Sequence, residues 1–248
     1  MTGDRNLYRR YTSTAALPDG TDARALLAWS RAYFAAHVGP LLPADRSAVI
    51  AEVGCGWGRY LAALADMGYT RCEGVDVSEE QVAYARDRLE LVNVSCGDAV
   101  PWLGARREHF DCILAIDVLE HLDNDALVAL MHGARAALRP GGVVIVHAPN
   151  ALAPLNPLRY ADFTHVRAFT VGSLAQLFRL TGLTPRVFRE TAPRGSGPAA
   201  TLRRALWRTA LRPLVKAWML VANGDAMGGI YTANVLAVAE RAPEIRTR

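Results

Sequence analysis

Arg159, Tyr160, Asp162, Thr164 and His165 place a cation, a phenol, a carboxylate, a hydroxyl and an imidazole within seven residues of one stretch, RYADFTHVRAF. An imidazole can take a proton near neutral pH, and a carboxylate three residues earlier can orient its ring. We therefore read His165 as a general base and Asp162 as its orienting partner. Arg159 and Tyr160 are read as groups that hold acceptor oxygens, with Asn150 lining the same edge. The competing reading is that His165 caps a helix starting near Thr170 while Asp162 closes an Asx-turn. His147 is a second histidine in reach, more simply read as a neutral ring half-buried at a strand end.

A different chemistry starts upstream. EVGCGWG places Gly54, Gly56 and Gly58 after an apolar run, where glycines let the backbone turn sharply beside a ligand at a helix N-terminus. The spacing is GxGxG and departs from the dinucleotide pattern GxGxxG. Asp76, 22 residues after Gly54, ends the next apolar run, where a carboxylate can accept from both hydroxyls of a ribose. Asp98 in CGDA is placed to accept from an exocyclic adenine amine. The three loops converge on an adenosine joined to something other than phosphate; the alternative is that Asp76 and Asp98 are helix caps or turn residues.

The elements that must position these groups alternate along the chain. Apolar runs at 48–53, 72–77, 91–96, 110–116 and 143–147 read as strands. Between them lie helical patterns at 59–67, after Ser78 with Gln81 at capping-box spacing, and along Leu127, Leu130, Met131, Ala134 and Leu138. A leading helix spans 22–42, another covers 170–180, and strands follow at 186–190 and 231–240. Such alternation predicts a Rossmann-like α/β fold: a mostly parallel sheet with helices on both faces and ligands beyond the carboxyl ends of the strands.

One domain of 248 residues, 51% apolar, has enough material for a sizeable core. Within it, 1–45 reads as a helical extension or lid carrying Tyr8 and Tyr11, 46–150 as the cofactor core, 151–169 as an acceptor loop and 191–230 as a helical insertion. Cys55, Cys72, Cys96 and Cys112 form no CxxC pair and read as reduced thiols in or beside buried strands. The net charge of +4 is mild, and the basic residues do not interleave with aromatics, which argues against a nucleic-acid partner. With no apolar signal core among the first twenty residues and no run of about 18 apolar residues, a cytoplasmic placement is expected.

Taken in order, AEVGCGWGRY, GVDVSEEQVAYAR, GDA, FDCILAIDVLEHL and LRPGGVVIVHAPN resemble the successive motifs of class I S-adenosylmethionine-dependent methyltransferases over residues 49–150. The resemblance implies seven strands with the last, 231–240, antiparallel. It implies S-adenosyl-L-methionine as cofactor, with its methionine part against Gly54, Cys55 and Gly56, its ribose on Asp76, its adenine beside Val77, Asp98 and Ala99, and its sulfonium near Asp117. Glu52 matches an acidic position that supports the glycine turn.

The further stretch PNALAPLNPLRYADFTHVRAFTVGSL is similar to a subgroup of sugar O-methyltransferases of polysaccharide and natural-product assembly, departing from it at Val166. That implies a small-molecule acceptor, a sugar or glycoside hydroxyl. Methylation of a phenol or amine, or a non-catalytic cofactor-binding subunit, stays open beside it. DVLEH, Asp117 to His121, resembles a Mg²⁺ motif of ubiquinone-pathway O-methyltransferases; the other reading is that Glu120 and His121 begin the following helix, and no metal is assigned.

In the insertion, Arg204, Arg208, Arg212 and Lys216 recur every four residues beside Leu202, Leu206, Ala210, Leu214 and Trp218. This reads as a basic amphipathic helix kinked at Pro213, with one face in the core and one in solvent. The competing readings are a surface for an anionic substrate such as a nucleotide sugar, a contact with an anionic membrane, or a homodimer contact.

Overall fold

The computed structural model describes residues 23–155, 157–191 and 197–243. Helix α1, Ala23–His37, stops before a 3-10 turn at Gly39–Leu41, where Pro40 sits. Strand β1, Val49–Val53, is buried at every position, as expected of a parallel strand covered on both faces. There follow α2 (Arg59–Asp66), β2 (Arg71–Asp76), α3 (Glu79–Leu89), β3 (Val94–Cys96), α4 (Ala99–Gly104), β4 (Phe110–Ile116), a 3-10 turn at Leu119–His121, α5 (Asn124–Ala137) and β5 (Leu138–Pro149). The chain continues with α6 (Pro157–Ala161), α7 (Val171–Leu180), β6 (Thr184–Glu190), α8 (Gly197–Leu206), a π-turn at Trp207–Leu211, α9 (Arg212–Asn223) and β7 (Asn234–Glu240).

The seven strands form one sheet in the order β3-β2-β1-β4-β5-β7-β6, and β7 runs antiparallel to both its neighbours. Alternating side chains build a core on each face. Val49, Ala51, Val53 and Ile113 meet α5 and α7, while Ile50, Cys112 and Leu114 meet Phe34, Leu61 and Leu64. Helix starts are fixed by their caps. Ser78 accepts from Gln81 N, Asp123 from Ala126 N, and Thr170 closes a capping box with Ser173.

Several sequence expectations are corrected. Leu138, read as the end of the helix stripe, instead starts β5 opposite Phe110, with a bulge before the regular register at Cys112 and Val143. β3 is three residues long, because Leu91 packs beside Gly58 instead of joining the sheet. The reduced-thiol expectation agrees with four free cysteines, of which Cys96, at the end of β3, is exposed.

The helix expected to kink at Pro213 carries a π-turn just before it. The wider turn accommodates a residue that has no N–H and would otherwise clash one turn back. Its supposed core face is absent. Only Ala200 is buried in α8 and nothing in α9, and Leu202, Leu206, Leu214 and Trp218 are all exposed. Among the described residues no helix is long and apolar enough to cross a membrane. The lid reading of Tyr8 and Tyr11 lies outside the described residues.

Candidate active site

A cavity of about 630 Å³ opens beyond the carboxyl ends of β1, β2 and β4, and nearly every loop singled out above reaches it. Its floor is the glycine turn. Gly54, Gly56 and Gly58 have φ of +66°, +54° and +82°, which L side chains rarely adopt. A Cβ on Gly54 would also lie 2.4 Å from Val118 and one on Gly58 2.3 Å from Leu91, so packing and conformation both demand glycine. The turn is tied to the next strand: Gly54 N and Cys55 N donate to Val75 O at 2.8 and 3.1 Å.

Asp76 accepts from Gly56 N at 2.7 Å through one carboxylate oxygen and from Ser78 N at 2.8 Å through the other. Burial raises its pKa, and these backbone bonds oppose the rise. Asp76 also lines the cavity. Asp98 caps α4 by accepting from Val100 N at 2.9 Å, and also lines the cavity with Val77 and Ala99. Both aspartates are thus turn or cap residues, as the alternative reading had it, while facing the same space.

Glu52 lies beneath them, buried, and desolvation pushes its carboxyl well above the ordinary range against the pull of Arg59. Its Oε2 has no hydrogen-bond partner. Arg59, not singled out in the sequence, lines the cavity 3.5 Å from Asp117 Oδ2. Asp117 itself sits at φ +55° just past β4. Its Oδ1 accepts from Nδ1 of buried His147 at 2.7 Å, and Nε2 of that ring accepts from the Tyr33 hydroxyl at 2.9 Å. His147 therefore works beneath Asp117, and α1 is wired to the cavity through Tyr33. The sequence had set His147 at a strand end in reach of the site, and the register that pairs it with Ile116 brings it to Asp117.

In the loop after β5, His165 donates from Nδ1 to Leu158 O at 2.7 Å, which leaves Nε2 as the acceptor in the neutral ring. Nε2 is 3.9 Å from Glu120 Oε1, and the ring packs edge-on to His121 with centroids 4.7 Å apart. Asp162 was expected to orient His165; it accepts instead from Thr164 N at 2.8 Å and Thr164 Oγ1 at 2.6 Å, an Asx-turn. The Thr164 hydroxyl, its proton given to Asp162, accepts from His121 Nδ1 at 2.8 Å, so the orienting chain serves His121. Burial, then His165, lowers the His121 pKa to about 4. Burial, then Asp117, pushes Glu120 well up; its Oε2 has no hydrogen-bond partner. Glu120, His121 and His165 each offer a ligand atom within 4.8 Å of the others. This trio differs from the Asp117, Glu120 and His121 grouping suggested by DVLEH.

Three other expectations change. Arg159 donates to the carbonyls of His165 and Val166, the latter at 2.8 Å, and its guanidinium lies over the Tyr160 ring. Asn150 is buried, donating to Ile230 O and Thr232 O at 3.0 and 2.8 Å and accepting from Leu152 N. Tyr160 is largely exposed, and none of the three is on the cavity wall. A sharply bent loop leaves carbonyls that the sheet cannot satisfy; Arg159 and Asn150 supply their donors. Leu158, Ala161, Asp162 and His165 form the wall instead.

Comparison with known proteins places this geometry. Residues 50–142 match the methyltransferase domain family. No curated protein matches the chain. Among solved structures, a SAM-dependent methyltransferase from Archaeoglobus fulgidus is 17% identical with a TM-score of 0.62, covering 88% of this chain and 100% of that one. A possible histamine N-methyltransferase from Thermotoga maritima is 18% identical with a TM-score of 0.61, covering 96% and 100%. A methyltransferase from Mesorhizobium loti is 18% identical with a TM-score of 0.57, covering 84% and 98%. These likenesses are of fold.

Proposed function

We propose that the chain is a class I SAM-dependent methyltransferase with S-adenosyl-L-methionine as cofactor, and that it transfers the methyl group to a hydroxyl of a sugar or glycosylated small molecule, with His165 as general base. The cavity fits the cofactor. Its volume is that of an ordinary small-molecule site, and Arg59 and Asp117 supply both signs of charge, beside the orphaned Glu52 Oε2, at the end suited to an amino acid. Gly54, Cys55 and Gly56 would lie against the methionine part, Asp76 at the ribose, Val77, Asp98 and Ala99 around the adenine, and Asp117 near the sulfonium. When bound, the cofactor supplies a methyl group already activated for in-line displacement.

The protein's own task is then alignment and proton removal. A sugar hydroxyl is a poor nucleophile at neutral pH, and a positioned base contributes about 10²- to 10⁴-fold. The observation that carries the reading is the His165 ring: Leu158 O holds the proton on Nδ1, and Nε2 remains available on the wall of the acceptor loop. Nε2 would take the hydroxyl proton as the O–C bond forms. The test is transfer of labelled methyl to a panel of nucleotide sugars, glycosides, phenols and amines. Label on a sugar oxygen supports the reading; label confined to phenols or amines contradicts it.

A second reading is favoured by the Glu120, His121 and His165 trio, whose donors would suit a divalent cation that orients the acceptor. His165 would then be a ligand and not a base. Activity lost on chelation and restored by added cation supports it, and indifference to chelation removes it.

A further inference from the structure

Asp117 is held by one residue at two points. Its N–H donates to the His147 carbonyl at 2.9 Å, and its Oδ1 accepts from His147 Nδ1 at 2.7 Å. The first bond continues the pairing of β4 with β5; the second depends on the side chain at 147. It also fixes the ring. An ionised carboxylate only accepts, so the proton sits on Nδ1, and Nε2 of the neutral ring accepts from the Tyr33 hydroxyl at 2.9 Å.

Tyr33 is held in turn. Its ring stacks on Trp29 with centroids 5.2 Å apart and lies 4.6 Å from the His37 ring, both on α1. The next residue, buried Phe34, stacks on Tyr60 at 5.2 Å, and Tyr60 follows Arg59 on α2. Arg59 Nη2 lies 3.5 Å from Asp117 Oδ2. Helix α1 therefore bears on both carboxylate oxygens, on Oδ1 through Tyr33 and His147 and on Oδ2 through the packing beside Arg59.

Burial separates the partners. The His147 side chain is 3% exposed, that of Asp117 34%, and Asp117 lines the cavity. A carboxylate so open to the cavity needs no buried imidazole to satisfy it; the short charge-assisted bond sets its direction. We propose that His147 and Tyr33 are positioning residues that hold the Asp117 carboxylate toward the charged centre of the cofactor, so that the site distinguishes the sulfonium from the neutral thioether left after transfer. The inference rests on the reading that Asp117 lies near the sulfonium. A fixed carboxylate attracts the cation and gains nothing from the neutral product, so loosening it weakens binding of the first alone.

The test is calorimetry on the full chain, taking the ratio of the dissociation constant for S-adenosylmethionine to that for S-adenosylhomocysteine. Asp117→Asn keeps the shape, loses the charge and should raise the ratio about tenfold. His147→Leu should raise it about fivefold and Tyr33→Phe about threefold. His147→Asn, whose amide N–H can stand where Nδ1–H stood, should bring it back to within about twofold of wild type. A role in folding alone would weaken both ligands equally and leave the ratio unchanged. Tyr33→Phe deletes one oxygen from a partly exposed ring and reads the same chain should His147→Leu fail to fold. A shift in Asp117→Asn with none in Tyr33→Phe or His147→Leu overturns the proposal and leaves the sulfonium reading standing. An equal shift in His147→Asn and His147→Leu also overturns it. An unchanged ratio in Asp117→Asn removes the sulfonium reading, and the proposal with it.

Discussion

The two walls of the cavity are built differently. On the wall proposed for the cofactor, the loops lie just beyond parallel strands and bond to the neighbouring strand, Gly54 N and Cys55 N to Val75 O and Gly56 N to the Asp76 carboxylate. On the wall proposed for the acceptor, a loop of some twenty residues after β5 is held by its own side chains, Arg159 on two carbonyls and Thr164 on Asp162, with Thr164 also meeting His121 from the turn after β4. Strand register positions the first wall; a local hydrogen-bond network positions the second. Damage should therefore be global on the first and local on the second.

The largest effect is expected from Asp76→Ala. It removes the acceptors that hold Gly56 and Ser78 as well as the proposed ribose contact, and cofactor binding followed by calorimetry should fall by about 100-fold or more. Retained binding would break the comparison at its stronger side. Arg159→Ala should leave cofactor affinity intact while raising the acceptor KM and loosening the loop, at a cost of about 1–3 kcal/mol from the two orphaned carbonyls. Protease sensitivity of the 157–170 region reads that loosening separately from turnover.

A subtler contrast lies in the pH dependence of stability. His121 has a folded pKa of about 4 against 6.5, so the unfolded chain binds more protons as pH falls below 6.5 and stability declines, levelling below about 4. The full effect is on the order of 3 kcal/mol. Glu120 and Glu52 act oppositely: their raised pKa values give stability that is present at low pH and lost as pH rises through them. His121→Asn should flatten the decline between pH 6.5 and 4 in denaturant titrations. An unchanged profile would mean that the ring is not held neutral by its surroundings.

How far the sequence could be read follows the same division. The alternation of strands and helices and the convergence of Asp76 and Asp98 on one edge were legible, because alternating apolar runs dictate both strands and where their loops emerge, whereas the antiparallel last strand and the place of Asp117 followed from the family resemblance. Tyr33 and Arg59 were not, since their approach to Asp117 depends on how α1 and α2 pack across the sheet. In the loop after β5, the polar residue types were plain in the sequence, yet Arg159 and Asn150 turned inward to satisfy backbone carbonyls, and Asp162 served His121 through Thr164. Spacing does not reveal which of several polar groups a bent backbone will claim first. The arm was misread for a related reason: amphipathic periodicity shows that a helix has an apolar face, not that the same chain covers it.

The central claim, that the walls are separable and His165 acts on the acceptor alone, is met most directly by one paired measurement on His165→Ala. Cofactor affinity and single-turnover methyl transfer to the best sugar acceptor would be compared with wild type. The account predicts unchanged affinity with transfer slowed about 10²- to 10⁴-fold. Weakened affinity, or transfer at the wild-type rate, would contradict it.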